Sequence, residues 1–174
     1  MSKWNIDTSH SEIAFKVKHL VISTVRGTFD NFEGSVVAAD DTFNNAAIAF
    51  SAQVDSVNTN SKQRDGHIVS PDLFDAVKFP TLSFSSTSVK NTNGKELDIK
   101  GDLTMKGVTK SINFKAAFNG IAKGMDGKRV AAFDLSLEIN RNDFGISWNA
   151  PIETGGLVVS EQVKIEASLE TKEE

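Results

Sequence analysis

The sequence has no cysteine, so disulfides, thiolate metal sites and cysteine nucleophiles are excluded. It has no tyrosine either, although it carries 12 phenylalanines and two tryptophans. There is no excess of positive charge: the net charge is −4 and the pI is near 5.4. That argues against nucleic acid, which needs a basic footprint. It argues equally against docking on anionic membranes by charge alone. No apolar run approaches the length of a membrane span, so stable membrane insertion is not expected. The first fifteen residues lack the apolar core of a secretory signal, which leads to an expectation of a cytoplasmic protein, or a periplasmic one if a leader has been removed. Glycine-rich phosphate loops and the G-x-S-x-G elbow of hydrolases are also missing.

What is present is alternation. Ile13, Phe15, Val17 and His19 share one face of a strand, with Glu12, Lys16 and Lys18 on the other. The same period of two runs through Ile48 to Val54, Leu82 to Phe84, Leu97 to Met105, Ile112 to Phe118, Ala131 to Ile139 and Val163 to Leu169. Turn residues separate these runs at Asp30-Asn31, Asp40-Asp41, Asn91 to Gly94, Gly107, Asn119-Gly120 and Met125 to Gly127. Val21 to Val25 reads as a continuation of the first long strand after a bend. The last residues, Thr171 to Glu174, read as a frayed tail. The 174 residues favour one domain, 1–174, of about eight antiparallel strands with one apolar face. Such a sheet must close on itself or pack on another layer, and there are too few helices for a layer. A closed barrel is the economical answer, with an interior that is either filled by side chains or holds a small ligand.

The alternation stops in residues 60–84. Ser70-Pro71-Asp72 reads as a helix start, with Asn58 to Asn60 offering caps for a shorter helix from Arg64 to Ile68. Phe79-Pro80 forces extended backbone before the next strand. This insert is either a lid over a cavity or a plug that completes a packed core. A Phe-rich, Tyr-free interior is likewise either a dry core or a pocket for an apolar ligand, since phenylalanine brings area without a hydroxyl to satisfy.

The polar residues give weak signals. His10, His19 and His67 do not stand at a spacing that fixes two of them on one face, so no metal site or other cofactor is expected. Ser9, His10, Ser11 and Asp7 are neighbours, but adjacent strand residues point to opposite faces and do not make a triad. Arg141 follows directly on a strand. It either pairs with Asp143 in a surface turn or points to the barrel mouth to meet an anionic head group.

Taken together, the motifs resemble the YceI-like family of lipocalin-like polyisoprenoid-binding proteins. The resemblance rests on Trp4-Asn5-Ile6-Asp7, His10-Ser11, His19-Leu20 and Gly27-Thr28-Phe29 near the start. It continues in Arg64-Asp65, His67-Ile68, Phe74-Asp75 and Phe79 to Phe84, then in Gly101 to Lys110, Asn140 to Trp148 and Val159 to Ile165. It implies an all-β fold: an extended eight-stranded antiparallel lipocalin-like barrel with a short helical insert. The interior would hold a long apolar chain, such as a polyisoprenoid, an isoprenoid quinone or a fatty-acid derivative. It also implies a homodimer. Carried over residue by residue, Phe15, Val17, Phe50, Leu82, Phe84, Leu103, Phe114 and Phe133 line the tunnel. Phe74 of the insert and Trp148 join them as ligand-binding positions, and His19, Arg64, His67 and Arg141 are the candidates near a polar head.

The expected function is therefore non-enzymatic binding, transport or sequestration of a long apolar molecule. One rival is an enzyme acting on an isoprenoid or lipid, with His19 or His67 at the barrel mouth as acid–base. Another is a solid barrel that works through its outer surface.

Overall fold

The computed structural model describes residues 1–153 and 155–174. The strands are β1 (Ser2–Ile6), β2 (Glu12–His19), β3 (Ser23–Phe29), β4 (Phe32–Ala38), β5 (Ala47–Gln53) and β6 (Val57–Asn58), followed after the insert by β7 (Thr81–Asn91), β8 (Glu96–Met105), β9 (Val108–Lys123), β10 (Arg129–Asn140) and β11 (Gln162–Glu173). One α-helix, α1 (Lys62–Val69), lies between β6 and β7.

All pairings given by register are antiparallel, and eight strands close a ring in the order β1-β4-β5-β7-β8-β9-β10-β11 and back to β1. The closing strand has two partners on one edge. Residues 171–173 of β11 pair with β1, while residues 164–168 pair with β2. A short turn, Thr8–His10, separates β1 from β2, so the two run end to end along β11. Beyond this point β2, β3 and β6 continue the wall past β1, β4 and β5, but the pairing of β5 with β7 stops at Gln53 and Thr81 and β6 pairs with β3 alone, so the ring is not closed there. The barrel is thus closed at one end and open at the other. The open end carries the β2–β3 tip, the insert and the long β10–β11 connection.

The period-two faces are burial patterns. Leu103, Phe133, Ile139 and Leu97 are buried, while Lys100, Asp102, Asp134 and Glu138 are exposed. Glycine allows the close approaches that bulky rings need. Phe15 lies across Gly27 and Phe84 across Gly101, where a Cβ would collide with the ring.

Several local expectations need correction. Ser70-Pro71-Asp72 does not start a helix but ends one. The helix starts at Ser61, whose Oγ accepts from the Arg64 N–H at 3.3 Å, and Ser70 caps its end, donating to the His67 carbonyl at 2.6 Å. The same tripeptide reads both ways because the residue before a proline resists the α conformation. The stretch 20–22 is a tight hairpin tip rather than a bend, with left-handed backbone at Leu20 and Val21 (φ 53° and 68°). Asn119-Gly120 does not end β9, which continues to Lys123 across a register shift opposite Ala132 and Phe133. The tail is not frayed: Thr171 is 1% exposed and its hydroxyl donates to the Ala131 carbonyl at 3.1 Å.

The β1–β2 break is held by Asp7. Its carboxylate accepts from the Ser9 hydroxyl (2.6 Å), the Ser9 N–H (3.0 Å), the His10 ring (3.0 Å) and the Lys172 ammonium (3.0 Å). These partners, Ser9 first, hold its pKa well below the usual carboxylate range. A carboxyl so depressed contributes stability that is complete above its unfolded value near about pH 4 and fades as pH falls toward the folded value. Asp7→Asn should therefore be less stable than the parent at neutral pH, and the gap should narrow steadily below about pH 4. Urea midpoints across this range measure it, and a gap that does not change with pH would contradict the assignment.

Candidate functional site: an apolar cavity in the barrel

Closing eight strands leaves more room than the inward side chains fill. A cavity of about 270 Å³ runs through the interior. Its wall is carbon almost throughout: the polar residues on it are Ser35, Arg141 and Thr171. Among the described residues, every buried side-chain nitrogen or oxygen has a hydrogen-bond partner within the protein. The cavity therefore offers area and shape, with almost no polar recognition.

The structure brings ten of the fourteen positions singled out from the sequence to this wall: Phe15, Val17, Phe50, Phe74, Leu82, Phe84, Leu103, Phe114, Phe133 and Arg141. The alternating strands supply most of them. Phe84 and Phe114 pack edge to face at 5.5 Å on β7 and β9, and Phe15 and Phe29 meet at 5.6 Å on β2 and β3. The insert contributes Ile68, Leu73 and Phe74, so it covers the open end and forms part of the wall. Phe74 meets Phe29 edge to face at 6.2 Å.

His19, Arg64, His67 and Trp148 lie outside the wall. Arg64 is clasped to Thr59, donating from Nε to its hydroxyl (2.8 Å) and from Nη2 to its carbonyl (2.6 Å). Asp65 accepts from the same hydroxyl at 2.5 Å, so the Arg64-Asp65 pair anchors α1 to β6. His67 bonds Asp72 through Nε2 at 3.1 Å and stands edge-on to Trp148 with ring centroids 4.5 Å apart. This contact is the seam between the insert and the β10–β11 connection. His19 meets Val159 through a backbone bridge, which ties the β2–β3 hairpin to the same connection.

Arg141 differs from both sequence alternatives. It is 5% exposed and is not paired with Asp143. Its guanidinium donates to four main-chain carbonyls: Ser160 (2.9 Å) from Nε, Ile146 (2.7 Å) and Trp148 (2.9 Å) from Nη1, and Val159 (3.3 Å) from Nη2. These contacts staple both strands of the 144–160 connection to the end of β10. Burial pushes its pKa down, opposed by the charge of Glu161.

At the closed end, four rings form a plug. Phe43 lies 5.4 Å from Trp4, 5.3 Å from Phe118 and 5.2 Å from Phe133, and Phe118 stacks on Phe133 at 5.4 Å. Outside the plug, Arg129 lies 5.3 Å over the Trp4 ring and pairs with Asp41 (2.6 Å) and Glu173 (3.3 Å). Phe43 was not visible as a site residue from periodicity. The signal for it is a single large apolar residue inside an otherwise polar turn, Asp40-Asp41-Thr42-Phe43-Asn44-Asn45.

Two polar constellations lie away from the cavity. Asp7, His10 and Glu170 bring three ligand-type atoms within 4.8 Å of one another, the one such group among the described residues. Lys172 already occupies Asp7 there. In the same place Ser9 donates its proton to Asp7, and His10 turns the same Nδ1 to both Ser9 and Asp7. That is a turn cap and lacks the relay order of a nucleophile–base pair.

The comparisons with known proteins agree with this architecture. The model of the YceI-like domain family matches residues 4–171. UPF0312 proteins of Staphylococcus aureus, in strains MSSA476 and N315 among others, are 36% identical over 171 residues, which is 98% of this chain and 97% of theirs. The crystal structure of the Campylobacter jejuni YCEI protein superposes with a TM-score of 0.78 at 30% identity, covering 90% of each chain. Burkholderia cenocepacia BcnA gives a TM-score of 0.80 at 21% identity over 95% of this chain and 98% of its own. A polyisoprenoid binding domain from Saccharophagus degradans gives 0.74 at 15% identity over 97% of both. The last two are likenesses of fold.

If Arg141 is the staple described, Arg141→Met leaves four carbonyls without their donor and should cost at least about 3 kcal/mol of stability. Arg141→Lys should recover little, because one ammonium cannot reach carbonyls on both strands. Urea unfolding of the two variants measures this. Normal stability with loss of lipid binding alone would instead make Arg141 a head-group ligand.

Proposed function

We propose that this chain, which belongs to the YceI-like family, binds a long apolar chain inside its barrel and carries or sequesters it without chemical change. The observation that carries the reading is the continuous carbon wall of the cavity, from the insert to the aromatic plug. A lumen of this kind rewards length and flexibility in a ligand. Each methylene taken from water contributes about 0.8 kcal/mol before ordering costs. Polyisoprenoids, isoprenoid quinones and fatty-acid derivatives all meet that description. The Saccharophagus degradans fold relative, described as polyisoprenoid binding, supports the same class.

The placement of the histidines supports binding over catalysis. His19 and His67, the acid–base candidates, stand off the wall, and His67 is engaged with Asp72 and Trp148. A route of loading is supported by the open end. Leu20, Val21 and Ile22 on the β2–β3 tip, Val77 on the insert and Leu157 on the β10–β11 connection are all exposed there. The ligand would pass between these segments. Among the described residues, no helix is long and apolar enough to cross a membrane.

Enlarging an inward residue separates a hollow barrel from a solid one. In a packed core an added ring costs about 1–3 kcal/mol. In this lumen it takes up ligand space. Val17→Phe and Leu137→Trp both project from the wall. At least one should keep the melting temperature of delipidated protein within about 4 °C of the parent, roughly what 1 kcal/mol moves in a domain of this size. The same variant should lose most of its uptake of a fluorescent polyene fatty acid. Two variants that melt far lower, from a parent that takes up no probe, would make the barrel solid and the proposal wrong.

A further inference from the structure

The plug at the closed end does more than seal. Phe43 is 1% exposed, yet it belongs to the cavity wall and stands between the lumen and Trp4. It comes from a loop, with left-handed backbone (φ 58°) that a bulky residue rarely adopts. The loop is pinned at several points. Asp40 accepts from the Thr42 N–H (2.9 Å) and hydroxyl (2.5 Å), Asn45 N–H donates to the Val89 carbonyl (2.8 Å), and Asn91 Nδ2 donates to the Thr42 carbonyl (2.7 Å). From outside, Asp41 is held by Arg129. A ring fixed so rigidly across the base of a tunnel gives the tunnel a defined floor. The polar wall residues toward that floor are Ser35 and Thr171, and the Thr171 hydroxyl is already spent on the Ala131 carbonyl, while the opening to solvent lies at the other end. A chain with a polar head therefore enters tail first.

We propose that Phe43 is the stop against which the methyl end of the bound chain packs, so that it sets the chain length the cavity accepts. This rests on the cavity being a chain-binding site. The ligand class it implies is an unbranched or isoprenoid chain read from its apolar end, with the head left at the mouth. Below the limiting length, affinity should rise up to about fourfold per added carbon. Beyond it, added carbons remain at the mouth and contribute little.

The two tryptophans make the test direct, because Trp4 lies behind the floor and Trp148 at the mouth. The probes are saturated straight-chain carboxylates of increasing length, plain or carrying one bromine, at the tail or beside the head. In Trp148→Phe protein, where Trp4 is the remaining tryptophan, a tail bromine should quench most of the emission and a head bromine little. The length at which affinity stops rising should shift by several carbons in Phe43→Ala, and by less in Phe43→Leu. The quenching measurement keeps Phe43 intact, so it decides the matter even if Phe43→Ala fails to fold. Carboxylates that bind with equal quenching from either bromine, or with an unchanged limiting length in a folded Phe43 variant, would overturn the stop while leaving chain binding in place. No binding of any chain to the parent would overturn both.

Discussion

The structure depends on one closure: β11 pairs with β1 along its last residues and with β2 along its middle. Each strand presents one apolar face, and only a closed ring hides all eight from water. The partner edge of β11 is divided between two strands, and because β6, beyond β5, pairs with β3 and not with β7, the ring is complete at one end and parts at the other. Asp7 sits where the division falls and is bonded to Ser9, His10 and Lys172. The lumen, its floor and its mouth all follow from that geometry. The ring is too wide for its side chains to fill, and the unpaired gap between β6 and β7 leaves an entrance for the insert to cover.

The two ends are held by different physics. At the floor, four aromatic rings supply bulk and specific geometry, and an ion cluster around Arg129 clamps them from outside. At the mouth, polar side chains are spent on main chain: Arg64 and Asp65 on Thr59, Arg141 on four carbonyls of the β10–β11 connection. A buried guanidinium is costly unless fully bonded, and breaking such a set exposes the whole cost. Covering segments without regular ladders need this kind of bonding, since their carbonyls would otherwise lie buried and unpaired. The polar residues of the family motifs thus shape the container, and the carbon wall between the ends is left free to hold a guest.

How much of this could be read from the sequence varied with the range of the interactions. The period of two gave the wall, because a strand's faces are fixed by local geometry: Phe15 and Val17, Phe50, Leu103, Phe114 and Phe133 all stand on it. The family motifs gave the barrel and its insert. What escaped were features settled by tertiary contact. Ser70-Pro71-Asp72 is locally consistent with either end of a helix, and the clasp of Arg64 and Asp65 on Thr59 decides between them. Thr171 looked like tail until its pairing across to Ala131 and Ile6. Arg141 looked like a ligand or a surface turn, because the carbonyls that take its donors lie up to 19 residues away. Phe43 sits in a turn, where periodicity carries no information.

The central claim is that the barrel is a container for a long apolar chain. Native mass spectrometry of protein purified without detergent tests it most directly, followed by organic extraction of the same sample and a second spectrum. The account predicts a folded species heavier than the chain by the mass of one apolar molecule, which extraction removes and which can be identified as a long-chain lipid or isoprenoid. It also predicts that the stripped protein regains one equivalent when such a lipid is returned. A parent that is unliganded at every step, and that takes up no long apolar chain when offered one, would contradict it.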